Sequence, residues 1–150
     1  MRNPALCEYF WEGIIITNML KNVIIVDGSG WIPFWGDIVI EDGKIAILRS
    51  GENTLFNEEK TFDKVTNYDR KAYVIPGVDA EMTMEKYEDE LKSILADLEA
   101  GVKIEKAVRK LTGYGVGQRE FTKEGVVANV AVLDKPATKI LAAYAAGEEL

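Results

Sequence analysis

The sequence predicts a mainly β domain of α+β class: a small β-sandwich or flattened barrel carrying one long amphipathic helix and one or two short ones. Three observations lead there. The first half is a series of β-branched runs separated by turn residues. Between Met84 and Ala100 the apolar spacing changes to steps of three and four. Finally, 150 residues at 47% hydrophobic content suit one domain with its own core, since folding at this size buries roughly 68–70% of the chain's surface.

Taken in order, Asn22-Val23-Ile24-Ile25-Val26 is the first strand, stopped by Asp27-Gly28-Ser29-Gly30. Asp37-Ile38-Val39-Ile40-Glu41, the tight-turn pair Asp42-Gly43 and Lys44-Ile45-Ala46-Ile47-Leu48 form a hairpin over 37–48. A polar stretch follows, then a strand near Thr61–Val65 and another at Lys71-Ala72-Tyr73-Val74-Ile75, closed by Pro76-Gly77. The long helix presents Tyr87, Leu91, Ile94, Leu95 and Leu98 on one face and ends at Gly101. A shorter helix places Ile104, Ala107, Val108 and Leu111 together, with Gly113, Gly115 and Gly117 ending it. Gly125–Leu133 is nearly all apolar, which predicts a strand buried on both faces. The Ala-rich segment Thr138–Gly147 is expected to be a last short helix. The organisation is thus one domain over 1–150, with an N-terminal extension at 1–18 and a helical segment at 84–112.

Charge and composition narrow the function classes. A net charge of −7 and a pI near 4.7 oppose nucleic-acid phosphates and anionic membranes. The densest basic group, Lys106, Arg109 and Lys110, reads as the solvated face of the short helix. Cys7 is the single cysteine and there is no histidine. No internal disulfide can form and no imidazole can activate the thiol, which fits a reducing, cytoplasmic setting. No apolar run reaches the ~20 residues of a membrane span. Residues 1–18, with Pro4, Glu8 and Glu12, do not read as a signal peptide.

Two separated segments carry a family resemblance. Leu20-Lys21-Asn22-Val23-Ile24-Ile25-Val26-Asp27-Gly28, Gly36-Asp37-Ile38-Val39-Ile40-Glu41-Asp42-Gly43-Lys44-Ile45-Ala46 and Tyr73-Val74-Ile75-Pro76-Gly77 resemble the N-terminal part of the amidohydrolase superfamily. The similarity is to its N-acyl-D-amino-acid deacylase, dihydroorotase and hydantoinase branches. Ile104–Thr112 resembles that family's final barrel helix, and Gly125–Asp134 resembles the G-x-x-A-D-x-x-V-x-D strand of its C-terminal segment, with Asn129 where aspartate is usual. Arg70-Lys71 stands where the family places a turn glycine. The resemblance implies that both segments fold together as the family's composite β-sandwich. It also implies that the catalytic (β/α)8 barrel is missing. Such a barrel needs ~250 residues, and only Glu85–Lys103 lies between the matched parts. The histidine ligands, bridging lysine and catalytic aspartate would be lost with it.

Candidate sites follow from this frame. Met82 and Met84 stand where the family has His-x-His. Their thioethers could hold Cu(I), but packing at a helix start is the favoured role, and neither metal nor other cofactor is expected. Asp79, Glu81, Glu85, Glu88 and Asp89 form an acidic run without the spacing of a cation loop. Gly28-Ser29-Gly30 lacks the GK[ST] ending of a phosphate loop. Trp31, Phe34 and Trp35 either fill one end of the sandwich, the favoured reading, or form a contact surface. Leu91, Ile94, Leu95 and Leu98 could pair two helices across a dimer. Without a barrel, one sandwich face needs a cover. Residues 1–18, which include Tyr9, Phe10 and Trp11, and helix 84–100 are expected to provide it, within the chain or across a dimer. The function expected is that of a non-catalytic structural or interaction module, assembled as a homo-oligomer, a dimer. The alternative is a fragment or accessory subunit of a hydrolase acting on non-peptide C–N bonds, with the barrel in a separate protein.

Overall fold

The computed structural model describes residues 17–51, 62–78, 81–113 and 122–150. Their strands are β1 (Asn18–Ile25), β2 (Phe34–Glu41), β3 (Lys44–Ser50), β4 (Lys64–Asn67), β5 (Ala72–Pro76), β6 (Val130–Asp134), β7 (Ile140–Ala145) and β8 (Glu148–Glu149). Two helices, α1 (Met84–Glu99) and α2 (Ile104–Thr112), lie between β5 and β6. All eight strands join one mixed sheet in the order β3-β2-β1-β5-β6-β7-β8, with β4 paired to β1. The domain is mainly β, with one long and one short helix among the described residues.

The two layers expected of a sandwich come from one sheet that curls over. The start of β3 is hydrogen-bonded to the segment leading into β6: Ile45 N–H donates to Val126 O at 2.9 Å, Gly125 N–H to Ile45 O at 2.8 Å and Ala128 N–H to Gly43 O at 2.9 Å. Inside the curl, Leu20, Val23, Ile25, Ile38, Ile40, Ile45, Val74, Val130, Val132 and Tyr144 form one buried cluster. The alternation of strand side chains sends their neighbours outward. On β5, β6 and β7 these are Ile75, Ala131, Leu133 and Ala143, and they are buried as well, because Tyr87, Leu91 and Ile94 of α1 and Ile104, Ala107 and Val108 of α2 pack over them. Helix α1 therefore covers an outer sheet face within the chain, while residues 1–16, including Tyr9, Phe10 and Trp11, lie outside the described residues. Burial of each large apolar side chain contributes about 1.5–3 kcal/mol.

Local chemistry sets the element ends. Asp42 (φ 54°) and Gly43 (φ 77°) make the two-residue turn of the β2–β3 hairpin. Thr83 caps α1, its Oγ1 accepting from Lys86 N–H at 3.2 Å. At the other end Gly101 (φ 88°) donates to Leu98 O at 3.0 Å and Val102 N–H donates to Asp97 O at 2.9 Å. This paired closure is the Schellman arrangement.

Three element expectations need correction. Thr138–Gly147 is not a helix: Ile140–Ala145 forms β7, antiparallel to β6, and Ala146 and Gly147 turn the chain into β8. Alanine's helix propensity is a weak preference, and here sheet pairing and the burial of Ala143 and Tyr144 outweigh it. The strand expected over Gly125–Leu133 starts only at Val130, because residues 125–128 bond to β3 instead. The strand near Thr61–Val65 lies at Lys64–Asn67, where β1 supplies a parallel partner. Gly115 and Gly117 lie outside the described residues.

Candidate functional site

Two places bring together the residues that the sequence singles out. The first is the connection from β1 to β2. Asp27 Oδ1 accepts from Ser29 N–H at 2.9 Å and from Ser29 Oγ at 2.6 Å, and Trp31 N–H donates to Ser29 Oγ at 3.2 Å. Gly28 (φ 92°) and Gly30 (φ 90°) complete this tight turn. Thr112 Oγ1 donates to Gly28 O at 2.7 Å, and the side chain of Arg109 closes over Gly30. The Gly-Ser-Gly stretch is thus a turn onto which the end of α2 is docked.

From this turn Trp31 and the adjacent Ile32 project at 69% and 70% exposure. Among the described residues nothing packs over the Trp31 ring closely enough to bury it. Phe34 and Trp35 are half-buried, and Phe34 packs on the inner cluster. Trp35 is covered by Arg70, whose guanidinium carbon lies 3.5 Å from the ring centroid. Arg70 adopts φ 62°. The turn before β5 therefore does need a left-handed residue, as a glycine there would supply, and arginine occupies it while stacking on Trp35.

The second place is the exit of β5. Pro76 ends the strand, and Gly77 N–H donates to Asn129 O at 2.8 Å. A Cβ on Gly77 would lie 2.5 Å from Met82 Cγ and 3.0 Å from Tyr87 Oη. Met82 is buried at 4% exposure in the cluster beneath the helices, and Met84 is half-buried against it. Tyr87 Oη donates to Tyr144 O at 2.7 Å, and burial pushes the Tyr87 hydroxyl well above its ordinary pKa. The positions matching His-x-His are thus taken up in packing at the start of α1. Asn129, placed where the family has aspartate, accepts from Ala146 N–H at 2.7 Å through Oδ1 and so holds the β7–β8 turn.

Along α1, Leu91 and Ile94 are buried in the chain's own core, while Leu95 and Leu98 are half-buried and Leu98 packs on the same cluster. Glu90 shares the buried side of the helix. It is 5% exposed, and its Oε2 accepts from Val78 N–H at 3.3 Å. Its Oε1 is buried without a hydrogen-bond partner among the described residues. Burial raises its pKa from 4.5 to about 7, and the weak bond from Val78 only partly opposes this. Glu90 stands in the wall of a pocket of about 340 Å³, lined also by Val78, Lys86, Asp89 and Leu111. Glu90 escapes a reading of the acidic run by charge alone. Its signal is helical spacing: it falls three residues after Tyr87 and four before Ile94, inside the apolar stripe.

Of the remaining acidic run, Glu81, Glu85, Glu88 and Asp89 are exposed and Asp79 lies outside the described residues. Among the described residues no three His, Cys, Asp or Glu side chains gather as a metal site would need. No helix among them is long and apolar enough to cross a membrane.

No family model and no curated protein matches the chain. Three solved structures show a distant, partial likeness to this chain. Ochratoxinase from A. niger is 14% identical, with a TM-score of 0.34 over 59% of this chain and 25% of that one. The formyltransferase/hydrolase complex (FhcABCD) from Methylorubrum extorquens, in complex with methylofuran, is 17% identical, with a TM-score of 0.30 over 56% of this chain and 14% of that one. Guanine deaminase from C. acetobutylicum is 16% identical, with a TM-score of 0.27 over 65% of this chain and 26% of that one. The chain spans about a quarter or less of the length of these proteins.

Proposed function

We propose that this chain is a non-catalytic interaction module that self-associates through the loop between β1 and β2. The observation that carries this reading is the exposure of Trp31 and Ile32, side by side on an anchored turn. Solvent does not favour two such neighbours, and a rigid turn lowers the entropy lost when they are covered. A tryptophan buries about 150–250 Å², or roughly 4–6 kcal/mol at 25 cal/mol per Å². The cost of association is of the same order, so the dimer should depend on concentration. The absence of histidine from the sequence supports a role other than imidazole-ligated zinc hydrolysis.

The second reading, an accessory subunit of a C–N hydrolase whose barrel lies on another polypeptide, is supported by the resemblance of residues 20–77 to the amidohydrolase N-terminal segment. In that case the same loop would meet the barrel protein. The test is light scattering coupled to size-exclusion chromatography over a range of concentrations. The wild-type chain should move from monomer to dimer mass. A Trp31→Ala, Ile32→Ser double variant should stay monomeric with an unchanged melting temperature. A wild-type monomer at every concentration, or a double variant that still dimerises, refutes self-association through this loop.

A further inference from the structure

We propose that the pocket between the exit of β5 and helices α1 and α2 binds a primary alkylammonium, with its charged head on Glu90 Oε1 and its apolar body against Val78 and Leu111. This inference does not depend on the loop at Trp31, which is a separate feature of the molecule.

Three observations converge on it. The pocket measures about 340 Å³, within the roughly 300–1,000 Å³ typical of small-molecule sites. Its described wall combines apolar surface from Val78 and Leu111 with two carboxylates, Glu90 and Asp89. One of these, Glu90, is buried at 5% exposure with an oxygen that no group among the described residues satisfies. A buried polar atom without a partner is costly and uncommon, and a ligand that supplies the missing hydrogen bond removes the cost.

The polarity of the ligand follows from the donors and acceptors present. Glu90 Oε2 already accepts from Val78 N–H, at a long 3.3 Å. Oε1 is shielded from water, but the terminal torsion of a glutamate is broad, and turning the carboxyl toward the pocket gives up only that long bond. A carboxylate so placed accepts best from a charged N–H donor. Asp89 at the exposed edge adds a second negative charge, and the net charge of −7 attracts cations. The one basic residue in the described wall, Lys86, directs its ammonium to Glu81 O at 2.8 Å. An alkyl chain rather than a bare ion suits the Val78 and Leu111 surfaces.

The test is a titration of the full chain with n-pentylammonium chloride at about pH 8, above the Glu90 pKa of about 7 so that the carboxyl is ionised, followed by amide chemical shifts, with 1-pentanol as the neutral probe of matching shape. The Val78 amide is the reporter, because its N–H meets Glu90 directly. Expected are saturable shifts at Val78 and Leu111, with the ammonium bound about tenfold more tightly than the alcohol or better. Glu90→Gln should weaken the ammonium about tenfold and leave the alcohol unchanged. The proposal is overturned if the ammonium gives no saturable shift at Val78, if the alcohol binds equally well, or if a folded Glu90→Gln variant binds the ammonium as the wild type does. The comparison of ammonium with alcohol on the wild-type chain decides the matter even if the variant does not fold.

Discussion

Glu90 makes the stability of this domain depend on pH, and the dependence has a definite sign. Its carboxyl is buried and its pKa is raised from 4.5 to about 7, by burial first, with the Val78 N–H bond opposing. Below about 4.5 the group is protonated in both the folded and the unfolded chain and favours neither. As pH rises toward 7 the unfolded chain ionises while the folded one keeps its proton. The unfolded state then binds fewer protons, so stability falls through this window and levels off above it. At 1.36 kcal/mol for each pKa unit the loss is about 3 kcal/mol, a large fraction of the roughly 5–15 kcal/mol that holds a domain together. Glu90→Gln keeps the shape and abolishes the titration. Urea unfolding of both proteins from about pH 4.5 to pH 8 measures the difference, and about 3 kcal/mol corresponds to roughly 1.5 M in midpoint at ~2 kcal/mol per M. The variant should gain on the wild type steadily as pH rises. Asp37, whose pKa burial also raises, titrates in both proteins and cancels from the comparison. If the gap between the two proteins is the same at every pH, Glu90 does not hold its proton in the folded state and the reasoning fails.

Two further outcomes test the junctions. Gly77→Ala should destabilise the domain by about 1–3 kcal/mol in urea or thermal unfolding, because the new methyl meets Met82 and Tyr87 Oη; a neutral effect would mean that the exit of β5 is looser than the packing indicates. Arg70→Ala should cost about 0.5–1 kcal/mol through loss of the Trp35 stack, whereas Arg70→Gly should recover about that much, since glycine relieves the left-handed backbone at φ 62°; equal losses in both variants would refute this division between stacking and strain.

Much of the fold was legible because local signals agreed with the final packing. Asp42-Gly43 marks a hairpin turn, and the structure has one there. Tyr87, Leu91 and Ile94 mark a helix face, and that face is buried. The sequence misleads where long-range pairing decides. Ile140–Ala145 is helix-prone by composition, but β6 supplies an unpaired edge, and the hydrogen bonds of that edge are worth more than alanine's preference. Residues 125–128 look like the start of a buried strand, yet their partner is the beginning of β3, about eighty residues earlier, and no local pattern reveals that. The candidate sites divide in the same way. Trp31 was legible as unusual but not as exposed, because exposure depends on what else reaches the end of the curl.

Glu90 shows how position can outweigh residue type in reading a site. Five acidic residues, Asp79, Glu81, Glu85, Glu88 and Asp89, form a run that charge alone marks out, and the four of them described are exposed. Glu90 extends the run by one residue, but a step of one along a helix turns the side chain by about 100°. That rotation carries it from the solvated face of α1 to the side that meets the exit of β5. There the same carboxyl loses its water, gains a single long hydrogen bond and keeps its proton near neutrality. The Met82 and Gly77 contact beside it fixes how closely α1 can approach the sheet. The chemistry available at this junction therefore comes from the helix that follows Pro76-Gly77, and its acidic group lies eight residues beyond Met82, where the motif alignment would not look.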